Sequence, residues 1–264
     1  MRPDLSIVIP AFNEEKRLPS SLESVAAFLS QRREPISAEV VVVDDGSRDR
    51  TAARAEETGR RLGLSLRVVR LPENRGKGAA VRAGALAAEG ANVLVSDADF
   101  STPMPEWEKL AAAGAPVAIG SRAVDETLVK ERQPFFRVFA GKLFNRVVRI
   151  VAVPGIRDTQ CGFKLFSRDA AQAVFTRARV DRFAWDVEAL LLARKLGFPI
   201  AEVPVLWFNS ADSRVTLWGG VQAYLDLFRI RLGVARALKS GGLAAAEGRR
   251  EASTGTRGRG PPDH

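Results

Sequence analysis

The 264 residues contain one cysteine and one histidine. Cys161 alone can form no intramolecular disulfide, which fits a reducing compartment. His264 is the last residue, so a zinc site and a histidine general base are both disfavoured. No stretch reaches the ~20 apolar residues that a membrane-spanning helix requires. Met1-Arg2-Pro3-Asp4 leads straight into a short strand-like run, without the longer apolar segment of a signal peptide. A Walker A loop is missing, as is a Gly-x-Gly-x-x-Gly after the first strand, which argues against P-loop and dehydrogenase readings.

Apolar residues are plentiful: 46% of the chain is hydrophobic, enough for a sizeable core in one large α/β domain. The formal net charge of +9 points to anionic partners such as phosphorylated substrates, acidic headgroups or nucleic acid. Composition alone favours the plainer reading, a solubilising surface with a basic tail.

Short apolar runs alternate with helical patterns. Leu5 to Pro10, Val40 to Val43, Leu66 to Leu71, Val93 to Val95 and Val117 to Ile119 read as strands. Leu18 to Leu29, Thr51 to Leu62, Lys77 to Ala88 and Val187 to Leu196 read as helices, and Pro199 to Phe208 as an extended segment. Such alternation predicts an α/β fold, a mostly parallel sheet covered on both faces. Phe135 to Val151 predicts an amphipathic helix. Phe136, Phe139, Leu143, Val147 and Ile150 lie on one side, with Arg137, Lys142, Arg146 and Arg149 largely on the other. Leu217 to Leu238 is again basic and apolar. The expected division is a domain over 1–238, with candidate membrane-surface helices at 134–151 and 217–238, then a disordered basic tail over 239–264. That tail lacks the interleaved aromatics of a nucleic-acid-binding segment, so no nucleic-acid partner is expected.

In open α/β sheets ligands sit beyond the carboxyl ends of the strands. Three polar clusters fall at such ends: Pro10-Ala11-Phe12-Asn13-Glu14, Asp44-Asp45-Gly46-Ser47 and Asp97-Ala98-Asp99. Singly, each reads as a turn or cap; their convergence on one edge points to a site. In extended chain Asp97 and Asp99 fall on the same side. Two hard oxygen ligands suit Mg²⁺ or Mn²⁺, which complete their shells with water and substrate phosphate. Asn74-Arg75-Gly76-Lys77-Gly78 opens a helix, where glycines permit close backbone approach and the helix end favours an anion.

Ser6-Ile-Val-Ile-Pro-Ala-Phe-Asn-Glu-Glu15, Val41-Val-Val-Asp-Asp-Gly-Ser47 and Ser96-Asp-Ala-Asp99 resemble the motifs of family 2 glycosyltransferases of the GT-A (Rossmann-like) fold. The resemblance covers roughly the first 215 residues. Asp158-Thr-Gln-Cys-Gly-Phe-Lys-Leu-Phe166 and Trp185-Asp-Val-Glu188 resemble the dolichyl-phosphate β-glucosyltransferase branch, and related polyprenyl-phosphate mannosyltransferases share much of the pattern. The resemblance implies that Pro10, Ala11, Asn13 and Glu14 line the nucleotide pocket and that Asp44 and Asp45 hold base and ribose. Lys77 sits close to the nucleotide, Ala98 lies against the ribose, and Asp97 and Asp99 hold Mg²⁺ or Mn²⁺. Arg122, Arg132, Ser213 and Arg214 become phosphate contacts. Many mannosyltransferase relatives carry Gln two positions after the second metal aspartate. Here Ser101 stands there, which leaves a third protein ligand unsupported.

The implied reaction is an inverting hexosyl transfer, with glucose from UDP-glucose favoured, to a dolichyl or polyprenyl phosphate. The implied alternatives are GDP-mannose as donor, a soluble or polysaccharide acceptor, or a nucleotide-binding membrane-surface protein without turnover. Asp158 and Asp186 are the carboxylates available to orient the acceptor or carry a proton, Asp158 first because it precedes the Cys161-Gly162 turn. Asp186 also reads as a cap of the helix beginning near Val187. The expected setting is the cytoplasmic face of a membrane, held peripherally.

Overall fold

A computed structural model of the chain describes residues 2–129 and 153–208, together with Val234. The predicted helices 135–151 and 217–238, the tail 239–264, and the site candidates Arg132, Ser213 and Arg214 lie outside the described residues, Val234 apart.

Five strands and four helices run in order from the amino end. They are β1 (Leu5–Ala11), α1 (Leu18–Gln31), β2 (Ala38–Asp44), α2 (Thr51–Leu62), β3 (Leu66–Arg70), α3 (Lys77–Ala87), β4 (Asn92–Val95), α4 (Trp107–Ala112) and β5 (Val117–Ser121). After the undescribed stretch come β6 (Lys164–Ser167), α5 (Arg168–Phe175), α6 (Trp185–Lys195) and β7 (Ile200–Pro204). The sheet order is β3-β2-β1-β4-β6-β5-β7. All neighbours are parallel except β6, which runs antiparallel to both β4 and β5.

The central strands are buried on both sides, as their unbroken apolar runs require. Alternate residues serve opposite layers. Val8, Val41, Val43, Val93 and Val95 pack with Ala80, Val81 and the apolar residues of α5 and α6. Ile7, Ile9, Val40, Val42 and Leu94 pack with Leu18, Leu22, Val25, Ala55 and Leu110 on the other face. Burying each such valine or leucine contributes roughly 2 kcal/mol.

The predicted α/β class holds, and every strand and helix expected among the described residues is present within about three residues of its expected bounds. Among the strands and α-helices three are additional, α4, β6 and α5, besides short 3-10 turns at Met104–Glu106 and Glu126–Leu128. The strand β6 escapes periodicity because it is four residues long and begins with a lysine. From β1 the chain builds outward to β2 and β3, then returns to place β4 on the other side of β1. The order therefore reverses between β1 and β4, and the crevice beyond their carboxyl ends is where a ligand fits such a sheet.

Candidate active site

The loops after β1 and β2 are tied to each other. Asp45 N donates to Ala11 O at 2.9 Å. Asn13 adopts φ 54°, a conformation asparagine tolerates. Its N–H donates to Ser47 Oγ, and its Oδ1 accepts from Arg48 N, both at 2.9 Å. Glu14 N donates to Thr51 Oγ1 at 2.7 Å, while its carboxylate is held by Arg17 at 2.6 and 2.7 Å. Asp44 Oδ1 accepts from Ser47 N at 3.0 Å.

Asp45 is buried, and its carboxylate is occupied by the next loop. Oδ1 accepts from Arg75 N at 2.9 Å; Oδ2 accepts from Gly76 N at 2.8 Å and Asn74 Nδ2 at 2.9 Å. This changes two expectations. The anion received by the Asn74–Gly76 amides is the chain's own Asp45, so Asp45 organises a loop that carries Lys77. The glycines also serve the protein itself. A Cβ on Gly76 would stand 2.6 Å from Asp181 O, and one on Gly78 would stand 2.3 Å from Val180 O. Segment 180–182 therefore closes over the start of α3. Arg75 and Arg82 pin it through Asp181 at 3.0 and 2.6 Å.

Asp97 and Asp99 follow β4, but the chain does not stay extended there. Phe100 N donates to Asp97 O at 3.1 Å and Phe100 has φ 46°, so residues 97–100 form a turn. Helix α1 braces it, with Ser21 Oγ donating to Ala98 O at 2.5 Å. Asp99 Oδ1 accepts from Ser101 N at 3.1 Å. Asp97 Oδ1 is buried without an aligned hydrogen bond, and the Lys77 ammonium stands against it as an ion pair. Gly162 presses on the same carboxylate: a Cβ there would lie 2.2 Å from Asp97 Oδ2. Burial alone would raise Asp97, but Lys77, Lys164 and Arg122 hold it below the ordinary carboxylate value. Burial likewise works against the Lys77 charge, and Asp97, Asp186 and Asp99 overcome it.

Two carboxylates on one turn, one with an oxygen lacking an aligned partner, fit a hard divalent cation. No group of three or more His, Cys, Asp or Glu suited to a metal stands among the described residues, so this pair would be their contribution.

The far side of the site is ionic and buried. Arg122 follows β5 and grips Asp158 through Nε at 2.7 Å and Nη2 at 3.0 Å, while its backbone N–H donates to the same carboxylate at 3.1 Å. The Arg122 guanidinium also stacks on Trp207 at 5.4 Å. Burial would raise Asp158, but Arg122 holds it down at about 2. A carboxylate so engaged is a poor proton acceptor. Asp186 is different. It lies in the first turn of α6, one residue after the helix start rather than at the N-cap, and accepts from Val187 N at 2.8 Å. Burial pushes it above the ordinary value, with Lys164, the Val187 amide and Lys77 only partly opposing. The Arg122 grip counts against the expected preference for Asp158 as proton carrier and leaves Asp186 the less engaged of the two carboxylates.

Three contributors lay outside the sequence reading. Glu202 on β7 accepts from Asp158 N at 2.7 Å, Arg157 N at 2.9 and 3.0 Å and Ser121 Oγ at 2.8 Å, fixing the Asp158 loop. Trp207 carries Arg122, and Lys164 is fully buried beneath the site. Lys164 alone left a trace in the sequence, as one cation within the apolar run Phe163 to Phe166.

The model of the family "Glycosyl transferase family 2" matches residues 6–175. A dolichyl-phosphate beta-glucosyltransferase of Drosophila melanogaster is 44% identical over 241 residues, covering 86% of this chain and 74% of the fly protein. This chain belongs to glycosyl transferase family 2. The similarly named proteins of Homo sapiens and Saccharomyces cerevisiae are 40% and 34% identical, each over 86% of this chain and over 75% and 74% of their own lengths. A solved structure of glucosyl-3-phosphoglycerate synthase from Mycobacterium tuberculosis with Mn²⁺, uridine diphosphate and phosphoglyceric acid has a TM-score of 0.65. It is 20% identical and covers 86% of this chain and 78% of that one, a likeness of fold. As a family 2 transferase, the chain carries its family's expected fold, with Asp97, Asp99 and Lys77 in the crevice at the strand-order reversal. Among the described residues no helix is long and apolar enough to cross a membrane.

Proposed function

We propose that this family 2 transferase moves glucose, with inversion, from UDP-glucose to a dolichyl or polyprenyl phosphate. The observation that carries the reading is the Asp97–Asp99 turn with the Lys77 ammonium against it at the sheet's switch point. Relatives named dolichyl-phosphate beta-glucosyltransferase support the choice of sugar and acceptor.

Pro10, Ala11, Asn13, Glu14, Asp44 and Ala98 line the nucleotide crevice, and Asp45 supports it by holding the Lys77 loop. Asp97 and Asp99 would hold Mg²⁺ or Mn²⁺, which supplies positive charge where the departing diphosphate gains negative charge. Lys77 donates to the same diphosphate. Fixed donors aimed at developing charge lower the barrier without reorganisation. Arg122, steadied by Asp158 and Trp207, offers Nη1 to the acceptor phosphate; Arg132, Ser213 and Arg214 extend that anion site. The acceptor phosphate has a second pKa of about 6, so it arrives largely deprotonated and needs orientation more than a strong base. Asp186 supplies that orientation. Displacement from the opposite face of the anomeric carbon inverts it. A lipid acceptor places the protein peripherally at a cytoplasmic membrane face, with the basic-apolar segment 134–151 against anionic headgroups.

The test is a panel of radiolabelled nucleotide sugars with polyprenyl phosphate and Mn²⁺. A β-linked glucolipid from UDP-glucose alone is expected. Mannolipid from GDP-mannose, or transfer only to soluble acceptors, would replace this reading.

A further inference from the structure

Lys164 has no part in the chemistry above, yet it is one of the largest fully buried side chains among the described residues. It opens β6 in register with Val95 of β4 and Ile119 of β5, two residues short of Asp97. Its ammonium donates to Cys161 O and lies 5.2 Å over the Trp185 ring, next to Asp186 in the chain. No carboxylate among the described residues forms a direct ion pair with it. A buried ammonium with one carbonyl acceptor and one aromatic face is costly to keep, and an apolar side chain of the same length fills such a position at lower cost. Burial pulls its basicity below the ordinary lysine value, and Asp186, Cys161 and Asp158 only partly oppose this.

Two effects follow from its place. The bond to Cys161 O fixes the turn that seats Gly162 against the Asp97 carboxylate. Its charge acts on three carboxylates, Asp97, Asp158 and Asp186, where the described cations facing the site are otherwise Lys77 and Arg122. Those carboxylates must share the crevice with an anionic diphosphate and an anionic acceptor.

We propose that Lys164 is a positioning residue for glucosyl transfer, holding the Gly162 turn on Asp97 and supplying the buried charge that lets the carboxylates and the donor diphosphate occupy one site. The inference rests on the function proposed above, and its test is read first by UDP binding. Wild-type protein is titrated calorimetrically with UDP in Mn²⁺, beside Lys164→Met and Lys164→Gln. Groups that orient an active-site ligand from behind typically cost 10–100-fold when removed, so Lys164→Met should bind UDP about tenfold more weakly and transfer about 100-fold more slowly. Its melting temperature should stay near or above that of wild type, which a merely structural lysine would not allow. Lys164→Gln keeps a donor for Cys161 O without the charge and should lose UDP affinity as Met does. UDP binding within twofold of wild type in either variant overturns the proposal, as does a melting temperature well below wild type in both. Wild type that binds UDP but makes no glucolipid overturns the proposed function and leaves the binding comparison to stand.

Discussion

The two halves of the sheet build the site with different chemistry. On the β1–β3 side, carboxylates and amides are matched to backbone N–H groups: Asp45 to Arg75 and Gly76, Asp44 to Ser47, Asn13 to Arg48. On the β6-β5-β7 side, side-chain ions are sunk beneath the surface: Asp158 against Arg122, Lys164 beneath Trp185, Glu202 under the Asp158 loop. Backbone donors give fixed geometry with little net charge. Buried ions give field strength but cost desolvation. The first half suits a partner of constant charge; the second suits charge that develops or arrives.

Where the halves meet, at Asp97, the largest effect is expected. Asp97→Ala removes the carboxylate but leaves the turn backbone, so folding should persist while transfer falls about 10³-fold, the scale of losing a group aimed at transition-state charge. Asp99→Ala should do the same, and full activity in either would remove the divalent-cation assignment. The next comparison lies within the ionic half. Asp186→Asn removes a buried carboxylate whose charge burial disfavours, so stability should hold or rise while transfer drops about 100-fold. Asp158→Asn should show the opposite balance. It strands Arg122 and should cost about 3 kcal/mol in chemical denaturation, the lower end for breaking a buried pair because Arg122 is partly exposed. If Asp158→Asn kept stability while Asp186→Asn lost it, the assigned roles would have to be exchanged.

The contrast also explains what was legible in the sequence. Runs such as Val40 to Val43 identify buried strands because burial on both faces demands apolar residues at every position. The carboxyl-end clusters followed from that, since strand ends locate the crevice. What stayed hidden depends on tertiary closure. That Asp45 meets the amides of residues 75 and 76, and that Gly78 faces Val180, are contacts across 30 and about 100 residues with no periodic trace. The Arg122 grip that weighs against Asp158 was hidden for the same reason. Nothing in local spacing tells that Arg122 arrives from β5 to neutralise it.

The amide-built half has its own test. Asp45→Ala leaves the N–H groups of Arg75 and Gly76 and the Asn74 amide without their acceptor, which should loosen the loop carrying Lys77. The expected result is a donor KM raised about tenfold with kcat changed less, since each such contact contributes about 1 kcal/mol. An unchanged KM would mean that segment 180–182 alone holds the start of α3.

The smallest effect belongs to acid. Asp158 is held at about 2 in the folded protein against an ordinary 3.8, because Arg122 outweighs its burial. A depressed carboxylate stabilises the fold fully above its unfolded pKa, and that contribution fades as pH falls through the folded value. Asp158 should therefore add about 2 kcal/mol above roughly pH 5 and lose it progressively between there and pH 2. Asp186, shifted the other way, gains stability as pH falls through its raised folded value towards the ordinary 3.8, and so offsets part of the loss. Denaturant unfolding of wild type and Asp186→Asn from about pH 8 to 2 separates the two. The variant should lose stability more steeply on acidification, because the opposing carboxyl is gone while the depressed carboxylates, Asp158 among them, still titrate. Parallel pH profiles would show that the two buried carboxylates do not titrate with opposite sign.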